Sequence, residues 1–135
     1  MATTKKYIES IGRRKTATAR VRLTPAKGLS ILINEKESST YFPTLELQKI
    51  LHDTFGRTKI DDSYEITAIV SGGGIHSQAE AVRHGIARAL VQINETENKV
   101  PLKSEGYLKR DPRSKERRKA GNAGKARKGK QWSKR

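Results

Sequence analysis

The last 28 residues cannot build a core, which confines any folded body to the sequence before them. Residues 108–135 hold thirteen of the 29 Lys and Arg against two acids, Asp111 and Glu116, and their apolar content is Leu108, three alanines and Trp132. Such a segment buries too little surface to offset its ordering entropy. It is expected to acquire shape only on a polyanion, and nucleic acid is the commonest partner of that kind.

The remaining charge is also placed rather than spread. Residues 1–28 carry eight basic groups against Glu9 alone, whereas residues 29–107 carry eight against eleven acids. Two basic ends flank a slightly acidic middle, so the middle reads as scaffold and the ends as binding equipment. The 135 residues therefore divide into one compact α/β domain over 1–107 and an extended basic tail over 108–135. Cysteine is absent, which removes disulfides, thiolate zinc sites and a cysteine nucleophile. There is no apolar run of a signal peptide and no membrane span of about 20 residues, so a cytoplasmic chain is expected. An organellar protein stripped of its transit peptide reads the same.

Periodicity gives the element order. Residues 16–23 alternate Ala17, Ala19, Val21 and Leu23 with Thr18, Arg20 and Arg22, the pattern of a half-buried strand with a basic outer face. Residues 7–11 form a shorter strand joined to it through Gly12-Arg13-Arg14-Lys15. A turn at 24–28 leads to a third strand at 29–33, and the three read as an antiparallel meander. Pro43 is placed to open a helix that carries Leu47, Ile50, Leu51 and Phe55 and closes at Gly56. Tyr64, Ile66, Ala68 and Val70 alternate as a fourth strand ending at Gly72-Gly73-Gly74. Beyond it, Ile75, Ala79, Val82, Ile86, Leu90 and Ile93 mark a long amphipathic helix. The order is β-β-β-α-β-α.

On a helical wheel the apolar residues of that second helix share an arc, with Ser77, His84 and Arg88 opposite and Arg83 at the border. Ala81, Gly85 and Ala89 add a small-residue edge where another backbone can come close, that of a sheet or of an RNA strand. The glycine triplet is open to two readings: a tight strand-to-helix turn, or backbone N–H groups presented to a phosphate at the positive end of the helix. A nucleotide-dependent small-molecule kinase using Gly72, Gly73 and Gly74 is thus a rival function. Against it, Ser77 stands where a dinucleotide fingerprint has its third small residue, and no Gly-Lys-Ser/Thr follows. His52, His76 and His84 lack companions at metal-ligand spacing, and no nucleophile with a base stands out. No catalytic residue, metal or cofactor is expected.

Several motifs follow one another in order: Gly12-Arg13-Arg14-Lys15 followed by Ala19-Arg20-Val21; Ile33-Asn34; Tyr41-Phe42; Gly72-Gly73-Gly74-Ile75; Gln78-Ala79; Arg83-His84-Gly85-Ile86-Ala87-Arg88-Ala89-Leu90; and the ending Ser133-Lys134-Arg135. Together they are similar to those of the small-subunit ribosomal protein nine family of bacterial or organellar type. The resemblance implies an α+β two-layer sandwich with a four-stranded mixed sheet, of the ribosomal protein S5 domain 2 type. It also implies a seat on ribosomal RNA of the small-subunit head, among neighbouring head proteins, with the tail running toward transfer RNA in the peptidyl site. That contact falls on Ser133, Lys134 and Arg135. The chain departs from the family pattern at Trp132, commonly Phe, and at Gly121-Asn122-Ala123-Gly124, where the usual run is more basic.

The expected function is therefore structural RNA binding without catalysis. Arg13, Arg14, Lys15, Arg20 and Arg22 are expected on RNA phosphates, with Arg83, His84 and Arg88 as further candidates. Lys109, Arg110, Arg113, Lys115, Arg117, Arg118, Lys119, Lys125, Arg127, Lys128 and Lys130 are expected to thread RNA along the tail. A nucleic-acid-coating protein with no ribosomal role is the second rival.

Overall fold

A computed structural model describes residues 6–58 and 64–127. Alternating burial makes the sheet. Strand β1 (Ile8–Arg14) pairs antiparallel with β2 (Ala17–Pro25) from Ile8↔Leu23 to Arg14↔Ala17, leaving Lys15 and Thr16 as a two-residue turn with Lys15 at φ 53°. The strand thus continues through Gly12-Arg13-Arg14, which sequence alone assigned to a connection. Gly12 is there for packing: a Cβ on it would lie 1.8 Å from the carbonyl oxygen of Ala81.

β3 (Ser30–Ile33) is not the third strand of a meander. It pairs parallel with β5 (Tyr64–Ser71), through Ile33↔Ala68, while β5 pairs antiparallel with β2, through Val21↔Ala68. Alternation fixes which face of a strand is buried, not which edge it joins, so this insertion was invisible to periodicity. A fifth strand, β4 (Lys36–Glu37), folds back on β3 through Asn34 and Glu35, both left-handed at φ 50° and 69°. Two exposed polar residues give no alternation, which is why four strands were expected. The sheet order is β1-β2-β5-β3-β4.

Among the described residues four helices accompany the sheet: the single turn α1 (Ser38–Tyr41), α2 (Leu45–Arg57), α3 (Ile75–Ile93) and α4 (Glu95–Ser104). Thr44, not Pro43, opens α2, its hydroxyl accepting the Leu47 N–H at 3.4 Å, and the helix runs through Gly56 to Arg57. α3 has the bounds that periodicity indicates. α4 was not anticipated, although Asn94 caps it by accepting the Glu97 N–H at 3.4 Å, and Glu95 pairs with Lys99 at 3.1 Å.

α3 lies on β1 and β2, α2 and α4 lie on α3, and the core forms between. Val21, Leu23, Ile33 and Ile66 from the sheet meet Leu51, Val82, Ile86, Leu90 and Leu102 from the helices, all sealed from solvent. The result is a mixed α+β fold with a helical layer on a five-stranded sheet. Two wheel assignments change. Ile75, the first helical residue, is exposed, and Ser77 is buried. Ser77 shares a stripe at four-residue spacing with Ala81, Gly85 and Ala89, all facing inward. Along it Gly85 approaches β1 so closely that a Cβ would stand 2.6 Å from Val21 Cγ2 and 3.2 Å from the Gly12 nitrogen. The Ser10 hydroxyl donates to the Gly85 carbonyl across the same seam. The small-residue edge therefore serves the sheet.

Candidate nucleic-acid interface

β1 is an edge strand, so its outer backbone groups lack a ladder partner and need cover. α3 supplies it. Arg88 Nη1 donates to the Ile11 carbonyl at 2.7 Å, and the Arg13 N–H donates to His84 Nδ1 at 3.2 Å. The other imidazole nitrogen, Nε2, lies 3.2 Å from the Leu108 carbonyl oxygen, where the C-terminal segment leaves the body. With Nδ1 accepting and Nε2–H donating, the ring is neutral. In agreement, burial pulls the His84 pKa below the ordinary histidine value; Arg88 and Arg110 add to this, and the Leu108 hydrogen bond opposes it.

The other expected RNA cations fall into three groups. Arg14 and Arg83 turn toward protein. Arg14 Nε donates to Glu80 at 2.7 Å, and Arg83 lies 3.8 Å from Asp53 with its guanidinium 4.7 Å from the Tyr107 ring centre. Arg20 and Arg22 project from the outer sheet face but share one acid, Glu9, at 3.1 and 3.0 Å, and Arg22 also covers the Tyr7 ring at 4.7 Å. Exposed Arg13, Lys15, Arg88, Arg110, Arg117 and Arg118 form no ion pair among the described residues. Arg13, His84, Arg88 and Arg110 line one open cleft, and Lys15 meets Arg113 and Lys115 around the hairpin end. Free positive charge thus gathers at the corner where the tail departs.

Residues 108–127 contain no helix or strand, and Lys109, Arg110, Arg113, Lys115, Arg117, Arg118, Lys119, Lys125 and Arg127 are exposed. An extended tail was expected, but over 119–127 the described segment turns back on itself. The Lys119 N–H donates to the Lys125 carbonyl at 3.2 Å, with Gly121, Ala123 and Gly124 left-handed at φ 86°, 53° and 77°, and Arg127 returns to Glu116 at 2.6 Å. The small residues that depart from the family pattern make this turn. Lys128, Lys130, Ser133, Lys134 and Arg135 lie outside the described residues.

The glycine triplet follows the turn reading. Gly72 and Gly73 are left-handed at φ 78° and 64°, and a Cβ on Gly72 would stand 2.5 Å from the Thr16 carbonyl oxygen. The loop is closed by Gln78 Nε2 donating to the Gly72 carbonyl at 3.1 Å. Gln78 in turn accepts from the Tyr41 hydroxyl at 2.7 Å, and the Asn34 amide reaches Tyr41 at 3.4 Å. Several motif residues thus form one internal polar chain. Among the described residues no group of three or more His, Cys, Asp or Glu is placed to hold a metal, and no helix is long and apolar enough to cross a membrane. Sequence reasoning counted Glu9 and Asp111 as isolated acids among cations without giving them partners, and it did not single out Glu80.

The sequence that builds this α+β body and its basic segment has relatives among known proteins. A family model described as ribosomal protein S9/S16 matches residues 12–135. The chain belongs to the ribosomal protein S9/S16 family. The small ribosomal subunit protein uS9 of Lawsonia intracellularis is 52% identical over 110 residues, covering 82% of this chain and 83% of its own. Those of Thermosynechococcus vestitus and Porphyromonas gingivalis are 50% and 47% identical, covering 92% and 96% of this chain and 89% and 98% of theirs. Membership in the S9/S16 family makes the chain a structural ribosomal protein, not an enzyme, and RNA binding is general in that family.

Proposed function

We propose that this chain is a structural constituent of the small ribosomal subunit, working in the cytoplasm, that binds ribosomal RNA of the head beside neighbouring head proteins. Its C-terminal end touches transfer RNA in the peptidyl site during translation. Supporting the first part, Arg13, Lys15 and Arg110 pair with no carboxylate among the described residues and stand beside the exposed cations that follow Leu108. Positive charge without internal partners attracts phosphate and releases counterions. Arg20 and Arg22, half-neutralised by Glu9, add a weaker patch on the sheet. The tip, Ser133, Lys134 and Arg135, carries the transfer RNA contact through the Lys134 ammonium and the Arg135 guanidinium.

Salt and truncation test this. If the tail neutralises about 5 to 10 phosphates, affinity for ribosomal RNA falls by roughly two to five orders of magnitude between about 50 and about 200 mM salt; a flat response refutes the assignment. Deleting residues 133–135 is expected to weaken transfer RNA retention in the peptidyl site with subunit assembly intact. Unaltered retention removes the tip's role, and equal binding to duplex DNA points to a general coating protein.

A further inference from the structure

Arg14 is the most enclosed of the expected RNA cations, its side chain only 14% exposed. While Nε donates to Glu80 of α3, Nη1 reaches the Arg113 carbonyl at 3.0 Å and the Asp111 carboxylate at 3.4 Å. Asp111 is itself gripped by Arg113 at 2.7 Å, so the chain bends into an ion-paired elbow around the Arg14 guanidinium. Just upstream, Arg110 donates to the Lys15 carbonyl at 3.4 Å, and His84 holds the Leu108 carbonyl at 3.2 Å. Contacts from β1, the hairpin turn and α3 therefore fix residues 108–113, which have no regular structure of their own.

We infer that Arg14 and His84 are positioning residues: they clasp the root of the tail and set the direction in which it leaves the body, rather than meeting RNA phosphates themselves. A segment anchored only at Tyr107 would sample a wide range of directions. One anchored through Arg113 starts already aimed, so less entropy is lost when the remainder settles on RNA. The inference rests on the RNA-binding reading only for the use made of the tail; the clasp belongs to the RNA-free chain.

The full-length protein provides the test. Without RNA, backbone heteronuclear NOEs are expected at ordered-chain values through Arg113 and to collapse beyond Lys115. R14Q and D111N bring residues 109–113 down to the level of the distal tail. H84A loosens Leu108 and Lys109, and H84Q, which keeps a donor for the Leu108 carbonyl, restores them. D111N changes a residue outside the body and leaves the Arg14–Glu80 pair in place, so it decides the matter even where R14Q disturbs the fold. With ribosomal RNA, R14Q weakens binding by roughly three- to tenfold at unchanged salt slope, whereas loss of a phosphate ligand would reduce the slope by about one. A slope lowered by one overturns the inference. So do residues 109–113 that are mobile in the wild type, or unchanged in R14Q and D111N. Should the wild-type chain bind no ribosomal RNA, the proposed function fails and the NOE comparison still decides the clasp.

Discussion

At the scale of single residues, two glycines and one histidine set what the molecule tolerates. Gly85→Ala brings a methyl to 2.6 Å from Cγ2 of the fully buried Val21 and 3.2 Å from the Gly12 nitrogen, so the seam must shift to admit it; the expected cost is about 1–3 kcal/mol, read from the urea midpoint. Gly12→Ala meets the backbone oxygen of Ala81 at 1.8 Å, where nothing flexible can give, so it is expected to cost more. The His84 prediction concerns pH. Its pKa in the fold is depressed below the ordinary 6.5, so the neutral ring's contribution is complete above that value and is lost as pH falls toward the depressed one. Below it the charged ring faces Arg88 and Arg110 and can no longer accept the Arg13 N–H. Amide exchange at Arg13, corrected for intrinsic rate, is expected to speed up on acidification from pH about 7.5 to about 5 in the wild type but not in H84Q. The glycine triplet, Gly85 and His84 were all legible as unusual residues. What each touches was not, because Ser10, Arg13, Thr16 and Leu108, which meet them, are 24 to 75 positions away.

At the scale of elements, the parallel junction of β3 and β5 depends on one amide. Beyond the end of β3, the Asn34 N–H donates to the Ala68 carbonyl at 2.8 Å. Its side chain accepts the Val70 N–H at 2.9 Å and donates to the Val70 carbonyl at 3.1 Å. The side chain continues a ladder that the backbone, left-handed at φ 50°, has abandoned. Asn34→Ala loses both side-chain bonds to Val70 and the one to Tyr41, and places an unfavourable residue in that conformation, so we expect about 2–3 kcal/mol of destabilisation by thermal unfolding. β1, β2, β5, α2 and α3 could be read from alternation or helical spacing, since each buries one regular face. β4 is two polar residues, and α4 has only Asn98 and Leu102 buried, so neither projects a strong period.

At the scale of the whole molecule, the body and the tail have separate sources of order. Residues 114–127 are exposed almost throughout and bury no apolar side chain of the core, so truncation after Ser114 is expected to shift the melting temperature by less than about 2 °C while abolishing most RNA affinity. A large drop in melting temperature would show that the tail supports the body. The sequence by itself determined that the last 28 residues hold charge without a core and that the body mixes strands with helices, because net charge and hydrophobic period are properties of the sequence itself. Only tertiary structure decided which cations remain free. Glu9, Glu80, Asp53 and backbone carbonyls engage Arg20, Arg22, Arg14, Arg83 and Arg88, and those pairings arise where distant segments meet, by geometry that no local pattern encodes.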